Sequence, residues 1–236
     1  MKLTKILSDS DAFINAPVTY VGVEYVPFSH KQVVETLSEQ IQNLGYLVKK
    51  EYYLTSKDHQ KVVGRLDLGF IDADQNFCIS WRNSLDGSMA FGIAAGSIVN
   101  ICSNSNIWGS DLNYKRKHTG NSIMDINNSL ESCLNSYESI SKMHVANKEK
   151  LANIKLSIEQ MAEIVGKLYL IENIISERQI TKIKKELEVS SFDYGVTETA
   201  WNLYNHCTYI LKEVRPSNWH TSHINLCNYF EKQFKL

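Results

Sequence analysis

Apolar residues recur with one period up to about residue 120 and with another beyond it, and the change divides the chain into two regions. In the first, short runs rich in β-branched and aromatic residues predict strands. The earliest covers residues 18–26 and ends at Pro27. A helix follows: Ser29-x-x-Gln32 has the form of a capping box, Val33, Val34, Leu37, Ile41 and Leu44 share helical spacing, and Gly45 supplies the stop. Three further strand-like runs, 46–55, 62–71 and 77–84, are joined by Lys57-Asp58-His59-Gln60 and by the turn-rich residues 72–76. Asp86-Gly87 suits a tight type I′ hairpin turn, and runs 89–93 and 97–103 extend the sheet.

From Asn121 the period becomes helical. Positions 123, 126, 130, 133, 137, 140, 144, 147, 151, 154 and 158 alternate three and four apart, and only His144 and Asn147 among them are polar. The seam predicts a long helix that breaks near residue 156, where Ser157-x-x-Gln160 offers a new cap. Such a seam either packs on its own domain or pairs with a second copy, with the polar pair setting register. Helices over 158–172, 177–188 and 198–214 follow, the last ended by Pro216, and an amphipathic helix over 222–235 closes the chain. The expected fold is α+β: a mainly antiparallel sheet with an early crossover helix, then an α-helical C-terminal half with one long helix. Residues 1–120 form the sheet region, and 121–236 form the helical region packed on it as one composite domain.

Composition narrows the function without naming it. At 236 residues, 43% hydrophobic and 22% charged, the chain can bury a sizeable core. The net charge of −1 is spread evenly, so a polyanion partner would need a local patch. Lys2 and Lys5 are not followed by an apolar stretch, which argues against a signal peptide, and no run is long enough to span a bilayer. The five cysteines show no CxxC spacing and read as reduced thiols in a cytoplasmic protein.

Unusual residues concentrate between 80 and 120. Lys115-Arg116-Lys117-His118 is the one dense basic run, with Arg82 as a further cation and Trp81, Trp108 and Tyr114 as neighbouring aromatics. Cations for phosphate and aromatic faces for bases are what single-strand binding requires. The competing account is a solvated loop before a helix. Asn83, Asp86, Ser88, Cys102 and Asn104 can line a polar pocket, and Asn205 can form another wall of it, although Asp-Gly flanked by serines also simply makes a turn. Cys102 with His118, joined by Cys78, can be drawn as a thiolate pair or metal site, but the spacing is not diagnostic. P-loop, GxGxxG, HExxH, EF-hand and GxSxG patterns are missing, so no cofactor and no metal are expected.

Asn83-Ser84-Leu85-Asp86-Gly87-Ser88, then Cys102-Ser103-Asn104, then His118-Thr119-Gly120-Asn121 resemble the phage/plasmid-related family designated domain of unknown function 932. Trp201-x-x-Tyr204-Asn205-x-x-Thr208, Tyr25-Val26-Pro27 and Gly64-Arg65 fit the same family. The resemblance implies a mobile-element origin. The family commonly has histidine before the Asp-Gly-Ser, where this chain has Leu85, which weakens an enzymatic role. The leading expectation is a nucleic-acid-binding protein of the host cytoplasm, favouring single strands, as an annealing or recombination accessory. An inhibitor of a host defence or restriction factor is the alternative, and a small-molecule or nucleotide-processing enzyme comes third. Self-association through the 123–158 seam suits all three.

Overall fold

The computed structural model describes residues 5–7, 10–19, 28–101, 104–106, 113–116 and 122–236. Among the described residues seven strands form one sheet: β1 (Lys5–Leu7), β2 (Lys50–Thr55), β3 (Lys61–Phe70), β4 (Gln75–Ser84), β5 (Phe91–Val99), β6 (Asn104–Asn106) and β7 (Asn113–Arg116). Strands β1 to β6 lie in chain order, β7 shares the outer side of β5 with β6, and all pairings are antiparallel. Helix α1 (His30–Asn43) lies between β1 and β2 in the chain. The remaining helices follow the sheet: α2 (Ser122–Asn135), α3 (Tyr137–Asn153), α4 (Ile158–Leu170), α5 (Glu177–Glu188), α6 (Ala200–Leu211) and α7 (Pro216–Phe234). The architecture is α+β, sheet first and helices after, as the change of period implies.

Local chemistry accounts for the helix starts. Ser29 Oγ accepts from Gln32 N at 3.1 Å while Gln32 Oε1 accepts from Ser29 N at 2.9 Å, so two orphan amides are satisfied at once. Ser157 and Gln160 repeat the exchange at α4. Gly45 has φ of 82°, the left-handed conformation that ends α1. Pro216 occupies the first turn of α7, where its missing N–H costs nothing, so that helix begins six residues before the expected 222.

Strands β4 and β5 are buried almost throughout because helices cover both faces of the sheet. Phe77, Ile79 and Trp81 of β4 pack with Val33, Leu37 and Ile41 of α1 and Ile126, Leu130 and Cys133 of α2. On the other face, Leu54, Val63 and Ala94 pack with Trp219 and Ile224 of α7. Burying each large apolar side chain contributes about 1.5–3 kcal/mol. The tightest fit is at Gly64, which stands opposite Trp81 in the register. A Cβ there would lie 2.2 Å from Trp81 Nε1.

Several expectations are corrected. The long helix is two: Ser136 breaks it with φ −87° and ψ 3°, and its hydroxyl donates back to Ser132 O at 2.8 Å. The seam keeps its period across the break and is spent inside the chain. Ile126, Leu130, Cys133, Ile140, His144, Asn147 and Leu151 are all buried, so pairing with a second copy through these positions would require them to leave the core. Asp86-Gly87 lies in a longer loop, 85–90, in which Ser84 Oγ donates to Met89 O at 2.8 Å and accepts from Met89 N at 3.1 Å. Runs 89–93 and 97–103 become the single strand β5 and the short β6. The strand expected over 18–26 lies outside the described residues except for 18 and 19.

Substituting Gly64→Ala should destabilise the protein by about 1–3 kcal/mol through overpacking. Combining it with Trp81→Phe should cost less than the sum of the two single changes, as read by urea denaturation of a double-mutant cycle.

Candidate functional site

The expected nucleic-acid residues are distributed unevenly by the fold. Trp81 is fully buried among Tyr53, Gly64 and the α1 side chains, so its ring has no face for a base. That is a correction: a tryptophan on an interior strand buried on both sides fills core. Residues Trp108, Lys117 and His118 lie outside the described residues. Tyr114, Lys115 and Arg116 belong to β7, where Tyr114 pairs with Ile93, Lys115 with Gly92 and Arg116 with Phe91. Among the described residues β7 is an edge strand, where charges discourage edge-to-edge association, a structural role that needs no ligand.

Arg82 has no such ordinary explanation. It pairs with Val63 on one side and Gly92 on the other, so Arg82, Gly92 and Lys115 form one cross-strand row. Its side chain is 7% exposed, and its Nε is buried without a hydrogen-bond partner. Among the described residues no carboxylate forms an ion pair with it. Burial lowers its pKa, yet a guanidinium remains charged at any physiological pH. Neighbouring positions on the same face are also basic or polar. Arg65 lies over Tyr52 at 4.9 Å and Trp219 at 5.8 Å, and Ser80 Oγ meets His220 Nε2 at 2.6 Å.

The expected polar pocket divides between the two ends of β4. Asn83 holds the N-terminal segment: its Nδ2 donates to Phe28 O at 3.0 Å and to His30 Nδ1 at 3.1 Å. Asp86 and Ser88 make the 85–90 loop, where Asp86 Oδ1 accepts from Ser88 N at 3.1 Å and Ser88 Oγ at 2.6 Å. Burial opposes ionisation of Asp86, but Lys61 at 2.8 Å and the Ser88 contacts outweigh it and hold the carboxyl below its usual range. Asn104 stands at the opposite end, paired with Val99, which pairs in turn with Gln75. Eight strand positions separate Gln75 from Asn83, or about 26 Å at the usual rise. Cys102 lies outside the described residues.

The fold does bring Asn104 and Asn205 together. Asn104 Nδ2 donates to Asn205 O at 3.0 Å, and Thr208 Oγ1 donates to the same carbonyl at 3.0 Å. Asn205 Nδ2 donates to Trp201 O at 2.9 Å. Beside this cluster opens a cleft of about 670 Å³ whose walls include Asp74, Val99, Lys148, Asp193, Tyr194 and Trp201. Neither Asn104 nor Asn205 lines the cleft, and sequence reading missed it because Lys148 and Asp193 carry no motif and are brought to it with Asp74 only by the tertiary fold.

A family described as a domain of unknown function, DUF932, matches residues 17–228, nearly the whole chain. The chain belongs to the DUF932 family. No curated protein and no solved structure matches it significantly.

In this DUF932 protein the described cysteines are core residues. Burial pushes the thiols of Cys78 and Cys207 up to about 12 and that of Cys133 up to about 11, so each stays protonated and unreactive near neutrality. Among the described residues, no group of three His, Cys, Asp or Glu side chains is arranged to hold a metal. Leu85, which precedes Asp86-Gly87-Ser88, is wholly buried. No helix among the described residues is long and apolar enough to cross a membrane.

The buried histidines serve the fold. His144 Nδ1 lies 2.8 Å from Ser97 Oγ, which donates to Gln75 Oε1 at 2.8 Å. Burial pushes His144 down from 6.5 to about 3, and it lowers His206 as well despite the nearby Glu186. A depressed histidine pKa means that the unfolded chain binds a proton that the folded one refuses. Stability should therefore fall as pH drops below 6.5 toward about 3. His144→Gln should flatten that slope by about 1.4 kcal/mol per pH unit, measured by urea denaturation between neutral and mildly acidic buffers.

Proposed function

We propose that this DUF932 protein binds nucleic acid, single strands in preference to duplex, as an annealing or recombination accessory of a mobile element in a host cytoplasm. The observation that carries the reading is Arg82, a buried cation without an anionic partner among the described residues, in register with Lys115. Leaving a charge buried and unpaired costs several kcal/mol, so a fold that retains one has a use for an incoming anion. Gly92, which has no side chain, stands between Arg82 and Lys115 in the row. The row spans two strand spacings, about 10 Å, and ends on β7, an edge strand among the described residues.

Duplex recognition is less well suited to this geometry. Reading a groove takes a projecting helix or ribbon, whereas a short cationic row on a sheet edge follows one backbone. Tyr114 and Trp108 are the aromatic residues that remain for stacking once Trp81 is assigned to the core.

Fluorescence anisotropy against labelled single-stranded DNA, single-stranded RNA and duplex DNA over a salt series tests the reading. Tight, salt-sensitive binding that favours single strands is expected. Replacing Arg82→Gln and Lys115→Gln together should weaken it about tenfold or more and reduce the log–log salt slope by about 0.7 per lost phosphate contact. Affinity and slope unchanged in a variant with native circular dichroism would remove Arg82 and Lys115 from the interface and the reading with them.

A further inference from the structure

We propose that the cleft between α3, the 72–74 turn and the 193–199 loop binds an organic amine cation carried on an aromatic body. The site goes beyond the strand-binding reading and shares no residue with it. It adjoins the Gln75–Val99 end of β4 and β5, whereas Arg82 and Gly92 pair at the other end. Its volume of about 670 Å³ falls in the range of small-molecule sites.

An apolar floor sets the body of the ligand. Val99, Tyr194 and Trp201 line the cleft and belong at the same time to the core of the helical half. Both rings are held by a second one: Trp201 stacks on Tyr204 at 5.8 Å, and Tyr194 meets His206 edge-on at 5.4 Å. Rigid aromatic walls suit a planar ring rather than an aliphatic chain. Ile101 and Val196 continue the lining outward and stand 52% and 71% exposed, so an apolar body lying between them removes their surface from water.

The charge of the ligand follows from the one charge of the lining that is left over. Asp74 and Asp193 are its carboxylates and Lys148 is its cation. Lys148 is already engaged, with Nζ donating to Asp72 at 3.0 Å and to Asp74 at 2.5 Å. Burial opposes its charge, but these carboxylates outweigh that and raise its pKa. Asp193 is differently placed. Its Oδ1 accepts from Gly195 N at 2.9 Å, and among the described residues no lysine or arginine forms an ion pair with it.

The N-terminus of α6 also meets the cleft, through Thr199 and Trp201, and an open helix N-terminus attracts anions. Here the chain itself occupies it: Ala200 N donates to Ile154 O at 2.9 Å, Asn202 N to Thr199 Oγ1 at 3.2 Å and Leu203 N to Thr199 O at 3.1 Å. Both positive features of the lining therefore have partners, and the charge without one is the Asp193 carboxylate. A cation over a tryptophan or tyrosine ring gains about 0.5–2 kcal/mol, so the aromatic floor and Asp193 select the same sign.

Isothermal titration of the intact chain with tryptamine, tryptophol and indole-3-propionate tests the assignment. The three share one indole body and carry a positive, a zero and a negative charge near neutral pH. Saturable binding of tryptamine is expected, about tenfold or more tighter than tryptophol, with no saturable binding of the propionate. Raising the salt should narrow the gap between tryptamine and tryptophol, because exposed charges are screened. Asp193→Asn keeps an acceptor for Gly195 N and removes the charge, so it should weaken tryptamine about threefold and leave tryptophol unchanged. Ala152 lines the cleft from an exposed position on α3, where substitution leaves the core intact. Ala152→Arg should weaken tryptamine about tenfold or more, and Ala152→Glu should tighten it. No saturable binding of tryptamine, equal binding of tryptamine and tryptophol, tighter binding of the propionate, or one tryptamine affinity shared by Ala152→Arg and Ala152→Glu would overturn the assignment.

Discussion

Burial of β4 and β5 on both faces is the constraint on which the rest of the molecule depends. An antiparallel sheet ordinarily leaves one face wet, and its strands then alternate apolar with polar. Here the polar residues of β4 and β5 are inside, and each must find its partner in the protein. Ser80 reaches His220 on α7, Ser97 reaches His144 on α3, and Asn83 reaches His30 on α1. These bonds join residues 140, 47 and 53 positions apart. They tie the helical half to the sheet at defined points, where apolar contact alone would allow sliding. Histidine suits the role because its neutral ring carries one donor and one acceptor, at the cost of stability in acid.

The same constraint identifies the exceptions. Most polar atoms of the sheet are paired, and those that are not cluster at its two ends. Trp81, Arg82 and Asn83 mark one end, and Gln75, Asn76, Asn104 and Asn106 mark the other. Buried polar groups left unmet are costly, and functional sites are where folds tolerate such costs. Asn83 Oδ1 is an unmet acceptor beside Arg82 and Gln75 Nε2 an unmet donor at the other end, so each end mixes donors with acceptors.

Local signals were readable from sequence where a few neighbouring residues decide the outcome. The Ser29–Gln32 and Ser157–Gln160 capping boxes, the Gly45 stop and the strand runs of β2 to β4 all depend on residues close in the chain. The break at Ser136 was not readable, since the three-four spacing of buried positions continues through it and one back-bonded serine decides the geometry. Trp81 and Arg82 looked alike as surface groups. Only the register opposite Gly64 and the covering helices show that both are interior. Asn104 and Asn205 were grouped from sequence as walls of one pocket, but their contact across 101 positions is a property of the fold, and the nearby cleft has no linear signature.

The central claim is that Arg82 is held for an anion rather than for the fold, and the stability of an Arg82→Met protein tests it most directly. Methionine keeps much of the side-chain length and removes the charge. If Arg82 waits unpaired, the variant should be as stable as the parent or more stable by about 1–4 kcal/mol in anion-free buffer, as replacement of buried charges by apolar groups can be. It should also lose the stabilisation that single-stranded DNA confers on the parent by binding its folded state. A loss of about 3–5 kcal/mol on substitution, the cost of breaking a satisfied buried pair, would show that Arg82 is structural and would contradict the account.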